Sequence, residues 1–183
     1  RYNDLTSRRL IIGCKISLES YELHTQRKFN SICISESLPH AFMFNGVKKY
    51  TKSLHETAER MKKEIKKHNF TEVYVVGMSY QGFCAIYLSR ILQCTCYAFS
   101  PPNITETFLL NNAHTGGTLR QEIWKNKDLI YNAARKHGYC LDLSNMDTYG
   151  FNKVYIIYGT QNENDSINAL NMENVPNVIL VPV

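Results

Sequence analysis

The sequence has no apolar run of the length needed to cross a bilayer, so we expect no membrane span. Neither glycine-rich phosphate-binding pattern, G-x-G-x-x-G or G-x-x-x-x-G-K-[ST], follows a predicted strand, which excludes the Rossmann and P-loop nucleotide-binding interpretations. Paired cysteine and histidine motifs of metal sites are also missing, because Cys94 and Cys96 form a lone C-x-C that we interpret as core thiols. We therefore predict neither a cofactor nor a metal.

Charge of neither sign dominates the chain, which has 21 Lys and Arg residues, 16 Asp and Glu residues and a net charge of +5. This excess gives no support to nucleic-acid binding and is weak support for an acidic partner such as an anionic glycan. The length of 183 residues and the hydrophobic share of 44% predict one globular domain over residues 1–183. Six scattered cysteines favour reduced thiols and a cytoplasmic protein.

The organising stretch is EVYVVGMSYQGFCAIYLSRIL, residues 72–92. Residues 73–76 are typical of a strand buried in a parallel sheet, and residues 83–92 are apolar enough for a helix buried behind that sheet. Between them lies Ser79, with Gly77 before it and Gly82 after it. This order predicts a nucleophile elbow, a strained turn that exposes the serine hydroxyl at the positive end of the helix dipole. The alternative is a serine that only caps a helix.

Other short apolar segments complete an α/β pattern, a mostly parallel sheet with helices on both faces. Helical periodicity over residues 47–67 combines an apolar face with a lysine-rich face. Those lysines either bind an anion or, in the interpretation that we favour, form a solvated surface. The remaining strands are predicted at residues 9–17, 31–35, 94–100, 153–158 and 177–181.

The elbow resembles that of the α/β-hydrolases, whose pattern is G-x-S-x-G. Here the second glycine falls one place late, and Gln81 stands where a small residue is usual. The resemblance implies that Ser79 is the catalytic nucleophile. It also implies an oxyanion hole of two backbone N–H groups, one from Tyr80 and one from the loop that contains Ser17.

The same resemblance implies a catalytic acid after a late strand, for which Asp165 is the first candidate and Glu163 the second. The alternative role for Asp165 is capping the helix that begins near Ser166. An insertion at about residues 103–140 is expected to form a lid over the site. Three of its side chains are candidates for substrate binding, although they fit equally well as surface groups and one hydrophobic anchor: His114, Arg120 and Trp124.

The catalytic histidine of this fold follows the last strand, but all six histidines of the chain precede Asp165. Without an imidazole to take its proton, a serine hydroxyl is a poor nucleophile at neutral pH. Three explanations stay open: the natural chain continues past Val183 with its histidine, a loop histidine such as His114 or His40 substitutes, or the domain does not catalyse. We favour a chain that continues, and so expect a fragment.

A narrower resemblance rests on the elbow VVGMSYQGF, the segment Phe99-Ser100-Pro101 and the ending YGTQNENDSINALNMENVPNVILVPV. These are similar to hydrolase-like modules found with bacterial capsule and surface-glycan biosynthesis enzymes. The resemblance implies a serine esterase or acyltransferase with a small acyl or glycan substrate and a glycosyltransferase as partner. The alternative is a non-catalytic interaction module that positions a partner enzyme.

Overall fold

The computed structural model of the chain describes residues 7–14, 30–34, 44–47, 49–104, 127–147 and 152–183. Its strands and helices alternate after the first two strands, as the sequence predicts. The elements are β1 (Arg9–Cys14), β2 (Ser31–Ile34), α1 (Leu54–Lys67), β3 (Glu72–Met78), α2 (Tyr80–Leu92), β4 (Thr95–Phe99), α3 (Lys127–His137), a 3-10 turn (Leu143–Asn145), β5 (Val154–Tyr158), α4 (Glu163–Leu170) and β6 (Val178–Pro182).

In the described part of the chain, six strands form one sheet in the order β2-β1-β3-β4-β5-β6, and every neighbouring pair is parallel. The predicted α/β class with a mostly parallel sheet is therefore confirmed. The strand order reverses between β1 and β3, whose last paired residues are Cys14 and Gly77. In open sheets of this kind, ligands bind beyond the carboxyl ends of the strands at such a reversal.

One face of the sheet is the centre of the hydrophobic core. Leu10, Ile12, Val75, Cys96 and Ile156 alternate along their strands on this face and are fully buried. Helix α2 covers those of β1, β3 and β4, since it packs against these three strands and against α1. Because α2 is apolar on all sides, its residues from Gly82 to Ser89 are all buried, which fixes the position of its first turn relative to β3.

The connections from β2 onward all lead in the same direction across the sheet. The right-handed rule for parallel crossovers therefore places α1, α2, α3 and α4 on one face. The oppositely directed connection, residues 15–29, lies outside the described residues. Helix α3 falls within the insertion predicted as a lid, but residues 105–126 are also outside the described residues, so the lid stays a prediction.

Helix α1 begins at Leu54, so the prediction that helical structure starts at residue 47 is wrong. Ser53 caps the helix, because its hydroxyl accepts a hydrogen bond from the backbone N–H of Glu56 at 3.0 Å. The preceding residues form a turn in which Gly46 has a φ of 77° and Thr51 Oγ1 accepts from the N–H of Val47. The local hydrogen bonds of Ser53 and Thr51 outweigh the apolar periodicity that extends to residue 47.

Two further sequence-based expectations concern the whole chain. No helix in the described ranges combines the length and the apolarity that crossing a bilayer requires. None of the six cysteines, each of which lies in a described range, forms a disulfide bond. A cytoplasmic location stays a prediction.

Candidate active site

Ser79 forms the junction between β3 and α2 at the carboxyl edge of the sheet. Its backbone has φ 53° and ψ −130°, a conformation that residues with a side chain rarely adopt. Its N–H donates to the carbonyl oxygen of Phe99 at 2.8 Å, and its own carbonyl accepts from the N–H of Gly82 at 2.8 Å. The residue is exposed to solvent. A strained turn thus presents the Ser79 side chain where the strand order places a ligand site.

Both glycines around Ser79 have close neighbours, and at Gly77 these contacts exclude a Cβ. A Cβ on Gly77 would lie 2.2 Å from the carbonyl oxygen of Gln81, which is a main-chain atom that cannot move aside. A Cβ on Gly82 would lie 3.2 Å from Cβ of Pro101 and 3.3 Å from the carbonyl oxygen of Gly77. The second glycine, Gly82, stands one place later than in G-x-S-x-G, at a position where α2 passes close to its neighbours. Gln81, which stands where the pattern has its second glycine, contributes main-chain atoms to the turn.

The environment of Ser79 favours negative charge. The N-terminus of α2 carries roughly half a positive charge from the aligned peptide dipoles, and no acidic residue lies in its first turn. Tyr80, the first residue of α2, directly follows Ser79, so its backbone N–H belongs to this positive end. Ser17, the other predicted oxyanion residue, lies outside the described residues, as do His114, Arg120 and Trp124.

Asp165 and Glu163 lie in the first turn of α4, beyond the carboxyl end of β5. Asn162 caps this helix, because its side-chain oxygen accepts from the N–H groups of Asn164 at 3.1 Å and Asp165 at 3.3 Å. Capping therefore does not require the Asp165 carboxylate. Asp165 is partly buried and Glu163 is exposed. The strand β4 separates β5 from β3, so the two strands that lead to Asp165 and Ser79 are about 10 Å apart.

Among the hydrogen bonds of the described residues, none joins Ser79 to a histidine. His68 lies 3.5 Å from a carboxylate oxygen of Glu64, and His55 is exposed in the first turn of α1. His137 lies beside Tyr139, where burial and then Lys136 lower the pKa of its imidazole. The other three histidines of the chain fall outside the described residues.

A buried polar network behind the site was missed by sequence reasoning. Asn103, which is 1% exposed, donates to Asp142 Oδ1 at 2.9 Å, and its side-chain oxygen accepts from the N–H of Leu143 at 2.6 Å. Its own N–H donates to the side-chain oxygen of Asn168 in α4 at 3.2 Å. The signal in the sequence was only an asparagine after Pro101-Pro102, and its partners are distant in the chain.

The carboxylate of Asp142 is held ionised by this network. Burial alone raises the pKa of Asp142, but hydrogen bonds from Ser144, Asn103 and Asn145 outweigh the effect of burial, so the pKa lies below its usual value. The segment after β4 is therefore fixed by a charged group as well as by neutral hydrogen bonds.

Comparison with solved structures gives the fold, whereas no protein-family model and no curated protein sequence matches the chain. MenH from S. aureus superimposes with a TM-score of 0.56 at 14% identity, covering 100% of this chain and 87% of MenH. A carboxylesterase of Nitrososphaera gargenis gives 0.54 at 14% identity, over 100% of this chain and 83% of that one.

A capsule O-acetyltransferase of Neisseria meningitidis serogroup A gives a TM-score of 0.55 at 12% identity, over 96% of this chain and 78% of that one. These identities are too low to carry an activity from one protein to another, but the superpositions extend over nearly the whole of this chain. Together with the parallel sheet and the turn at Ser79, they show that the chain has the α/β-hydrolase fold.

Proposed function

We propose that this chain is the nucleophile-bearing domain of a serine-dependent esterase or acyltransferase that acts on an ester or a thioester. The observation that carries the proposal is the backbone of Ser79, strained at φ 53° and exposed at the head of the buried helix α2. Strain of this kind costs about 1–3 kcal/mol and persists only where the surroundings enforce it. A serine that merely capped a helix would hold ordinary extended backbone, so the strain is better explained by a nucleophile.

In the proposed reaction, the Ser79 hydroxyl attacks the acyl carbonyl carbon while a general base takes its proton. The developing oxyanion lies at the N-terminus of α2 and accepts from the backbone N–H of Tyr80. The bond to the leaving alcohol or thiol then breaks, and the base returns the proton to that group. Water or a glycan hydroxyl attacks the acyl-serine ester next, and Ser79 regains its proton.

The proposed general base is a histidine from outside the described residues, oriented by Asp165. The separation of β3 and β5 by one strand leaves space for a side chain between Ser79 and the start of α4. Asn162 satisfies the first N–H groups of α4, which leaves the carboxylate of Asp165 available for an imidazole. Glu163, which lies two residues earlier in the same turn and is exposed, is the second choice.

The acyl group is proposed to contact Met78 and Phe99. These residues are paired in register at the ends of β3 and β4, beside the turn, and are 60% and 38% exposed. Exposed apolar side chains next to a nucleophile suit the hydrocarbon part of an acyl chain. One structural neighbour is a capsule O-acetyltransferase, and we therefore include a glycan hydroxyl as acceptor and a glycosyltransferase as partner.

The test is labelling of the natural full-length protein with a fluorophosphonate probe. We expect labelling of the wild type, loss in Ser79→Ala, and retention in Ser100→Ala. Ser100 is a matched control, because it follows the neighbouring strand β4 and also has a positive φ, 43°. Labelling that persists in Ser79→Ala would contradict the proposal. Loss of labelling only in Ser100→Ala would also contradict it, because the nucleophile would then follow β4 and not β3.

The second candidate function is a non-catalytic module that positions a partner enzyme. It is favoured by one observation, that no histidine of the described residues is hydrogen-bonded to Ser79. This function predicts no turnover of p-nitrophenyl acetate by the full-length protein and co-purification with a glycosyltransferase. Turnover that depends on Ser79 excludes it.

A further inference from the structure

A cleft of about 450 Å³ opens at the amino edge of the sheet, at the opposite end from Ser79. It lies between the C-terminal ends of α1 and α2 and the starts of β3 and β4. Ile65, Phe70, Val73 and Leu92 contribute its apolar part. Its volume is within the range of sites that bind small molecules. From Glu72, which lines the cleft, to Met78 beside Ser79, the strand β3 spans about 20 Å.

The charged groups of this cleft leave it positive. Lys62 and Lys66 are four residues apart on α1, so both line the same side of the cleft although like charges at this spacing repel. Among the described residues that line the cleft, the only acidic one is Glu72. Its carboxylate is already engaged, since it lies 2.8 Å from Nε of Arg9 and accepts from the hydroxyl of Tyr74 at 3.0 Å.

Lys66 is the better placed of the two lysines to contact an anion. Lys62 pairs with Glu59 at 2.8 Å, whereas no carboxylate of the described residues pairs with Lys66. Lys66 is also exposed, so its ammonium group is accessible to a ligand in the cleft. An anionic group beside Lys66 would remove the repulsion between the two lysines.

Neutral hydrogen-bonding groups make up the rest of the polar lining. Gln93 and Asn152 carry amides, and Thr71 and Thr95 carry hydroxyls, so the residues that line the cleft offer both donors and acceptors. The ring of Tyr74 adds a half-buried aromatic surface. This mixture matches a ligand that carries several hydroxyl groups and one negative charge.

We propose that this cleft binds a sugar bearing an anionic group, phosphate or carboxylate, through Lys66, Gln93 and Asn152. The site is separate from Ser79 and does not depend on the function proposed for that residue. It gives the domain a point of attachment for a charged saccharide at the opposite end of the sheet from Ser79.

The lysines of α1 have a competing explanation, since positive charge near a helix C-terminus is stabilising on its own. That explanation makes Lys66 important for stability and gives it no ligand. Lys63, an exposed lysine about one turn earlier on the same helix, does not line the cleft. Lys63→Glu is thus a control with the same change of charge.

The experiment is titration of the protein with glucose 1-phosphate, and separately with glucuronic acid and with inorganic phosphate, each followed by ¹H–¹⁵N NMR and calorimetry. We expect shifts for residues 62–74, 92–95 and 152, about fivefold weaker binding in Lys66→Glu, and less than a twofold change in Lys63→Glu. Asn152→Ala should weaken binding of glucose 1-phosphate and leave binding of inorganic phosphate unchanged. Ser79→Ala should bind like the wild type.

Several outcomes would overturn the proposal. They are equal weakening in Lys63→Glu and Lys66→Glu, no binding of either glucose 1-phosphate or glucuronic acid, and binding of inorganic phosphate as tight as that of the sugar phosphate. Urea unfolding of each variant checks that the fold is intact. Because Lys66 and Asn152 act independently, a folding defect in one variant leaves the other to decide. Loss of fluorophosphonate labelling at Ser79 has no bearing on this site.

Discussion

The strain at Ser79 predicts an unusual effect of glycine on stability. Glycine adopts positive φ without penalty, so Ser79→Gly releases strain of about 1–3 kcal/mol that Ser79→Ala retains. Glycine also costs about 0.4–1 kcal/mol through the greater freedom of the unfolded chain. The difference leaves Ser79→Gly about 1 kcal/mol more stable than Ser79→Ala. Both variants lack the hydroxyl, so this comparison isolates the backbone.

The assay is urea unfolding followed by circular dichroism. With a denaturant slope of about 2–3 kcal/mol per molar for a chain of this size, the midpoint of Ser79→Gly should lie about 0.4 M above that of Ser79→Ala. Ser166 supplies the control, because it lies inside α4 with helical backbone. There the order must be reversed, with glycine about 1 kcal/mol less stable than alanine. If glycine is the less stable residue at both positions, the backbone at Ser79 is not strained.

Three further predictions concern other parts of the chain. Gly77→Ala should lower the free energy of unfolding by about 3 kcal/mol in urea titrations, because the new Cβ would lie 2.2 Å from the carbonyl oxygen of Gln81, and wild-type stability would contradict the turn geometry. The pKa of Asp142 is lowered in the folded state, so its ionised carboxylate contributes to the free energy of unfolding above its unfolded pKa of about 3.9. This contribution is lost as the pH falls through the lower folded pKa, and thermal unfolding from pH 7 to pH 2 should show the loss. Asp142→Asn should remove that part of the pH dependence. Ellman's reagent should modify the exposed Cys33 in the native protein but Cys96 only after unfolding. Cys96 is fully buried, and burial raises the pKa of its thiol. Equal rates of modification at Cys33 and Cys96 in the native protein would contradict the burial of Cys96.

The parts of the fold that the sequence predicted well are those encoded locally. β3, the turn and α2 are continuous in the chain, and Gly77, Ser79 and Gly82 each have a local reason to be where they are. The boundaries of α1 and α4 were less predictable. Ser53 and Asn162 set them through one and two side-chain hydrogen bonds respectively, which hydrophobic periodicity does not register.

Features built from distant segments could not be predicted from the sequence. The side chain of Asn103 meets Asp142, 39 residues later, and its N–H meets Asn168, 65 residues later. The lysines of α1 were recognised as a charged surface, but the cleft beside them also needs the starts of β3 and β4. Only the register of the sheet places these groups together.

The segment that follows β4 connects the two halves of the proposed catalytic machinery. Phe99 accepts the N–H of Ser79, and Pro101 packs 3.2 Å from the position that a Cβ on Gly82 would occupy. Two residues later, Asn103 is hydrogen-bonded to Asn168 of α4, the helix whose first turn carries Asp165. A strained turn persists only where its surroundings enforce it, and this segment is part of those surroundings. Residues 99–103 therefore contact the Ser79 turn at one end and α4, the helix that carries Asp165, at the other.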